Sequence, residues 1–265
     1  MAGSKQWLGN LFLRSPARLH RLRNVPVLGY MMHKLSRRLL PSDEMVWAQV
    51  RSGAAKGIWL ELNPRTGGEY LEGSVEPAVQ QALVENLRSG MVFYDLGANI
   101  GFFSLLAARL TGPEGMIFSF EPDSAVAARA RRNAQKNSFT NVRVVNAGVW
   151  SRSGEFSFVP ANDSSPDKGL GRIVPDEMPE GSTTIPCVAM DDFILREPAP
   201  NGIKCDVEGA EVEAFRGARN LLASHHPWIV CEIHSDAARR ELDVLLKEAG
   251  YKTEALDSRH IFARG

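Results

Sequence analysis

The 265-residue sequence predicts an α/β protein with a mostly parallel sheet, and three observations carry the prediction. Short apolar runs recur, each ending in an acid or an amide: Tyr94-Asp95, Phe120-Glu121, Val145-Asn146, Cys205-Asp206 and Cys231-Glu232. Such runs suit strands buried on both faces, whose C-terminal ends are where open α/β sheets bind ligands. The first run passes through a turn with Gly97 and Gly101 straight into an apolar helix. The C-terminal end carries two strand patterns joined by Asp257-Ser258-Arg259, an antiparallel hairpin.

The elements follow in chain order. Residues 1–45 form a basic amphipathic extension. Up to residue 40 they hold Lys5, Arg14, Arg18, Arg21, Arg23, Lys34, Arg37 and Arg38 and no acid, so this stretch is +8 and the remainder of the net-neutral chain is −8. Interleaved Trp, Leu, Met and Val residues give it an apolar side. Three readings are open: packing on the chain's own acidic surface or on a second subunit in a homodimer, peripheral contact with an anionic membrane, and, least favoured, nucleic acid. Residues 46–90 predict a small β element, Val46–Arg51 and Ile58–Leu62, then a lead-in helix from Pro77 to Leu87 with Glu76 near its N-cap. Tyr70 and Glu72 are candidates for a substrate mouth.

The main domain runs from 91 to 265. Met91–Tyr94 reads as a strand and Phe102–Leu110 as a helix stopped by Thr111-Gly112-Pro113. Further strands are expected at Met116–Phe120, Asn141–Val145, Phe156–Phe158, Ile203–Cys205 and Trp228–Cys231. Residues 151–181, rich in Ser, Pro, Gly and Asp, read as a loop-like excursion; with Lys168, Gly169 and Arg172 it is the candidate substrate lid. A helix over Ala237–Ala249 and strands over Tyr251–Leu256 and His260–Arg264 complete the domain. Cys187, Cys205 and Cys231 are an odd number without metal-finger spacing, which points to a reduced, cytoplasmic setting. No stretch has the length and apolarity of a membrane span, and the N-terminus lacks a signal peptide's apolar core.

Spacing in the first turn selects the ligand. A dinucleotide fingerprint, G-x-G-x-x-G, seats a pyrophosphate on the helix N-terminus. Here Asp95 stands first and Gly97 and Gly101 bracket Ala98-Asn99-Ile100. A carboxylate at the strand end repels pyrophosphate but suits the ammonium group of an amino-acid-bearing cofactor, directly or through water; S-adenosylmethionine meets that requirement. Glu121 stands where a carboxylate accepts from both ribose hydroxyls, a device NAD sites share. Asn146 is the candidate adenine contact, with a turn-forming asparagine as the competing explanation.

Asp95-Leu-Gly-Ala-Asn-Ile-Gly101, Phe120-Glu121-Pro122, Ile203-Lys204-Cys205-Asp206-Val207-Glu208-Gly209-Ala210-Glu211 and Gly73-Ser74-Val75-Glu76-Pro77 together resemble the FkbM family of S-adenosylmethionine-dependent methyltransferases, from about Val46 onward. The resemblance implies the class I methyltransferase fold, a Rossmann-like seven-stranded sheet whose last strand is antiparallel, with methyl transfer usually to a hydroxyl oxygen. The expected cofactor contacts are then Asp95, Gly97, Asn99, Gly101 and Glu121, with Asn146 added by its position at a strand end. The acceptor is then a sugar, a glycolipid head group or a polyketide-type product.

Chemistry is expected at two later strand ends, Asp206 and Glu232-Ile233-His234. In one reading Asp206 and Glu232 hold Mg²⁺, as acids do in metal-dependent O-methyltransferases of similar fold, and His234 removes the acceptor proton. In the metal-free reading Asp206 contacts the methionine part of the cofactor, Glu232 orients His234, and His234 alone is the base. Glu208 and Glu211 are expected to organise a helix start. The rival functions are a catalytically inactive binder with the same fold and an NAD-dependent oxidoreductase.

Overall fold

The structure, a computed structural model, describes residues 45–63, 66–160, 171–174 and 178–265. The basic extension, apart from Met45, and the expected lid residues Lys168 and Gly169 lie outside the described residues. The chain divides into two compact units, residues 1–77 and 78–265, so the lead-in helix sits largely in the second.

In the first unit β1 (Val46–Gln49) pairs antiparallel with β2 (Trp59–Leu62). Their buried positions alternate, Val46 and Ala48 against Leu60 and Leu62, as a half-covered hairpin requires. A one-turn helix, α1 (Gly68–Glu72), follows. Glu72, a candidate for the substrate mouth, is ion-paired at 2.8 Å with Arg51 Nη1.

The second unit opens with α2 (Pro77–Asn86) and is built on a seven-stranded sheet. Its strands are β3 (Val92–Leu96), β4 (Met116–Phe120), β5 (Val142–Val145), β10 (Gly202–Cys205), β11 (Trp228–Glu232), β12 (Lys252–Ala255) and β13 (His260–Arg264), in the spatial order β12-β13-β11-β10-β3-β4-β5. The β5-β4-β3-β10-β11 block is parallel, and β13 runs antiparallel to both of its neighbours. The helices are α3 (Phe102–Thr111), α4 (Ser124–Lys136), α5 (Met190–Phe193), α6 (Glu211–Arg216), α7 (Arg219–His225) and α8 (Asp236–Glu248). One face of the sheet buries Tyr94, Phe118, Phe120, Ile203 and Ile229 with Phe215, Leu222 and Leu242. Tyr94 meets Phe118 edge-on at 5.3 Å between ring centroids, and its hydroxyl donates to the Pro198 carbonyl at 2.7 Å, so the buried phenol keeps a partner.

The excursion after β5 is not a loop throughout. Its described residues include β6 (Gly148–Val149), β7 (Gly154–Val159), β8 (Arg172–Val174) and β9 (Thr183–Val188), a second sheet ordered β6-β9-β7-β8. Arg172, expected in a lid, pairs with Val159 across the β7–β8 ladder. Phe156, Phe158, Ile185 and Cys187 give this sheet its own small core.

Candidate active site

The glycine turn is shaped by the neighbouring strands. Gly97 has φ 78° and donates to the Phe120 carbonyl at 3.0 Å; a Cβ there would stand 1.8 Å from the Asp206 carbonyl oxygen. Asn99 holds a left-handed φ of 49°, and Gly101, at φ 85°, is the N-cap residue of α3. Gly97 and Asn99 line a cavity of about 100 Å³ that is partly open to solvent.

Asp95 does not line that cavity. Parallel register sets it beside Ser119 on β4 and Lys204 on β10, so these three polar side chains share one face of the sheet. There Asp95 is fully buried: its Oδ2 accepts from Ser104 Oγ on α3 at 2.5 Å, Ser119 Oγ donates to Ser104 Oγ at 2.7 Å, and Lys204 Nζ lies 3.9 Å from Oδ1. The carboxylate expected to meet the cofactor ammonium therefore anchors α3 to the sheet.

Glu121, buried at the end of β4, does line the cavity. Its Oε2 accepts from Asn99 N–H and its Oε1 from Asp123 N–H, each at 2.9 Å. Burial pushes its pKa up to about 7 despite those two bonds. Asn146 takes its competing role: its amide donates to the Glu121 and Pro122 carbonyls at 2.9 Å each, and it is not among the cavity-lining residues. The wall beyond β5 is instead made by Ala147, Gly148 and Val149, with Phe158, Gly171 and Ile173 from the second sheet.

On the opposite side stand Asp206, Val207 and Glu208. Register places Cys205 beside Cys231, so the following residues, Asp206 and the His234 segment, come together as expected. Lys204 Nζ donates to Asp206 Oδ2 at 3.2 Å, leaving Oδ1 3.8 Å from His234 Nε2; Glu208 Oε2 is 3.4 Å from the same nitrogen. His234 Nδ1 meets Glu211 Oε1 at 2.5 Å, and that oxygen also accepts from Gly209 N–H at 2.8 Å. The hydrogen bond to fully buried Glu211, with the charges of Glu208 and Asp206, lifts His234 to a pKa of about 9. The orienting partner of His234 is thus Glu211 and not Glu232, and Glu208 faces the cavity as well as shaping the turn. Nothing local in the sequence links residue 211 to residue 234; only the β10–β11 register does.

Asp206, Glu232 and His234 each bring one ligand atom within 4.8 Å of the others. Glu232, however, has Oε1 at 2.7 Å from Arg259 Nη1 and Oε2 at 3.7 Å from His260 Nε2, and its carboxyl is held below the usual range by His260 and Arg259. Two carboxylates already compensated by Lys204 and Arg259, plus an imidazole, do not fit Mg²⁺, which takes oxygen ligands in a near-ideal octahedron. The acids around His234 favour the protonated form of its ring. No described helix is long and apolar enough to cross a membrane.

Residues 95–253 match the model of the methyltransferase FkbM domain. The chain is similar to the hexuronic acid methyltransferase AglP of Haloferax volcanii, at 30% identity over 68% of this chain and 71% of that one. It is also similar to the 31-O-demethyl-FK506 methyltransferase FkbM of Streptomyces tacrolimicus (28%, covering 82% and 88%) and to the 2-O-methyltransferase NoeI of Sinorhizobium fredii (26%, covering 63% and 75%). The match runs from the acid of the glycine turn through both strand ends that carry the Asp206–His234 constellation. The chain belongs to the FkbM family of S-adenosylmethionine-dependent O-methyltransferases.

Proposed function

We propose that the chain methylates a hydroxyl of a sugar, glycolipid or polyketide-type acceptor, with the cofactor in the cavity bounded by Gly97, Asn99, Glu121 and Asp206. The observation that carries this reading is the Glu211–His234 pair beside a cavity-facing acid. Glu121 accepts from the ribose hydroxyls, since both of its oxygens are already oriented by backbone N–H groups. Glu211 takes the Nδ1 proton of His234 in a hydrogen bond, which directs Nε2 toward Asp206 and Glu208. Bound S-adenosylmethionine would supply the methyl group to the acceptor oxygen, and His234, once its ring has lost its second proton, would take the hydroxyl proton at Nε2. No metal takes part; Mg²⁺ has no role in this scheme.

A sugar hydroxyl is the first acceptor to test, because AglP and NoeI, by their names, are a hexuronic acid methyltransferase and a 2-O-methyltransferase. Mass analysis of products from a panel of glycosides and polyketide-type alcohols checks the reading. Cofactor consumption without an O-methylated product would refute it. We infer that residues 1–40, with their +8 charge, pack on the chain's own acidic surface or on a second subunit; peripheral contact with an anionic membrane is the alternative. Flotation with anionic vesicles, compared between the full chain and one lacking those residues, tests this; equal behaviour removes it.

A further inference from the structure

The antiparallel last strand brings a turn to the sheet edge where His234 stands. Glu232, the last residue of β11, is the register partner of His260, the first residue of β13, so residues 256–259 overhang the strand ends that carry Asp206 and His234. The Arg259 carbonyl accepts from the Ile233 N–H at 2.9 Å, one residue before His234. This turn is not part of the cofactor cavity's lining.

Asp257 locks the turn. Its Oδ1 accepts from the Arg259 N–H at 2.8 Å and the His260 N–H at 2.9 Å, and both of its carboxylate oxygens lie 2.9 Å from His260 Nδ1. The backbone N–H and carbonyl of Arg259 are therefore both held. Its guanidinium is held as well, with Nη1 2.7 Å from Oε1 of Glu232, whose Oε2 lies 3.7 Å from His260 Nε2. The Arg259 side chain nonetheless stays 65% exposed, and Glu232 is its one side-chain partner among the described residues. A guanidinium presents five N–H donors in a planar fork, so donors remain after that pair is made.

The same Glu232 carboxyl brings an oxygen within 4.8 Å of a ligand atom of Asp206 and of His234. The guanidinium and the imidazole are thus neighbours of one carboxylate, close enough for one acceptor molecule to reach both. Of the cations at this edge, Lys204 is buried under Asp206, whereas Arg259 is open to solvent. Resting on the acceptor reading above, we propose that Arg259 is a specificity-determining residue that binds an oxyanion of the acceptor, a carboxylate or a phosphate, while the hydroxyl to be methylated meets His234. Glu232 is the positioning residue of the fork, and His260 and Asp257 hold Glu232 and the turn in place. Glu121, Asp206 and Glu208 line the cavity, so an anionic group is repelled there and drawn to the Arg259 side. A guanidinium–oxyanion pair is directional as well as strong, which fixes which hydroxyl of a polyol faces Nε2.

Matched acceptors test the assignment on the full chain: a neutral glycoside, its glycuronoside and the corresponding sugar phosphate, each assayed for methyl transfer from S-adenosylmethionine. The wild type should favour an anionic member by about 10-fold or more in kcat/KM, chiefly through KM, and the preferred member tells carboxylate from phosphate. Arg259→Ala should bring the ratio between anionic and neutral acceptors to within about twofold, and Arg259→Lys should restore part of it, because a point charge then stands where the fork was. An arginine that only braces the turn would lower both acceptors alike and leave the ratio at its wild-type value. That result, or a wild type that does not favour either anionic member, overturns the oxyanion assignment while leaving the methyltransferase reading intact. Transfer to none of the acceptors, with S-adenosylhomocysteine still bound, would overturn the acceptor reading and the assignment with it.

Discussion

In the proposed scheme Glu121 ties cofactor affinity to pH. Its carboxyl is buried and its pKa is raised to about 7, chiefly by desolvation. Ribose hydroxyls donate to the ionised form, so binding requires the proton to leave. The ionised fraction falls from roughly nine-tenths at pH 8 to roughly one-tenth at pH 6, so affinity for S-adenosylhomocysteine should drop about tenfold over that interval. The sign for stability is the reverse. The raised pKa means the folded apo-protein binds this proton more tightly than the unfolded chain does, so stability is lost as pH rises from about 4.5 through 7, by about 3 kcal/mol in all. Glu121→Gln removes the charge and should weaken the ligand by about 2–4 kcal/mol, roughly 30- to 1,000-fold, with no remaining pH dependence between 6 and 8. Calorimetry at several pH values reads both quantities. A flat wild-type affinity across that range would refute the assignment of Glu121 as the ribose acceptor.

Other consequences follow from the same geometry. With His234 at a pKa of about 9, the turnover rate should rise about tenfold per pH unit up to that value, and in Glu211→Gln the rise should end at lower pH; a profile with its midpoint near 6.5 in the wild type would remove Glu211 as the partner. The stability that His234 contributes is present in full below about 6.5 and is lost as pH rises through 9, which pH-dependent urea unfolding measures. Gly97→Ala should cost at least about 3 kcal/mol in thermal unfolding, because its Cβ meets a backbone oxygen and its φ is left-handed. Asp95→Asn should weaken folding by about 1–3 kcal/mol yet bind S-adenosylhomocysteine with near-normal affinity in the folded fraction; a large selective loss of binding would return Asp95 to the cofactor site. Turnover should persist in chelator, and its loss with recovery on adding Mg²⁺ would reinstate the metal reading.

The parallel sheet was legible because its strands are continuous apolar runs: β4 and β13 coincide with their expected spans, and β3 and β10 differ at the ends only. Of the second sheet only the Phe156–Phe158 part of β7 was, and β9 shows why the rest was not. Its Ile185 and Cys187 alternate inward as a strand's should, but Pro186 between them reads as a strand breaker and its surroundings are turn-rich. Within the site, the acids were recognisable by type but not by partner. Asp95 looked like a ligand because it stands at a strand end; lateral register with Ser119 and Lys204 gives it a buried task instead. Glu211 looked like a helix-start acid, and it does hold the Gly209 N–H, but the fold also aims it at a histidine 23 residues away. Strand-end position is written locally, whereas the partner of a side chain depends on which strands lie side by side.

The central claim is methyl transfer to a hydroxyl within this cavity. It is tested most directly by incubating the chain with S-adenosylmethionine carrying a deuterated methyl group and the glycoside panel, then locating the label by mass and NMR analysis. The account predicts an intact deuterated methyl on an acceptor oxygen, lost in His234→Ala and in Glu121→Gln. Label on carbon or nitrogen, or undiminished transfer by His234→Ala, would contradict it.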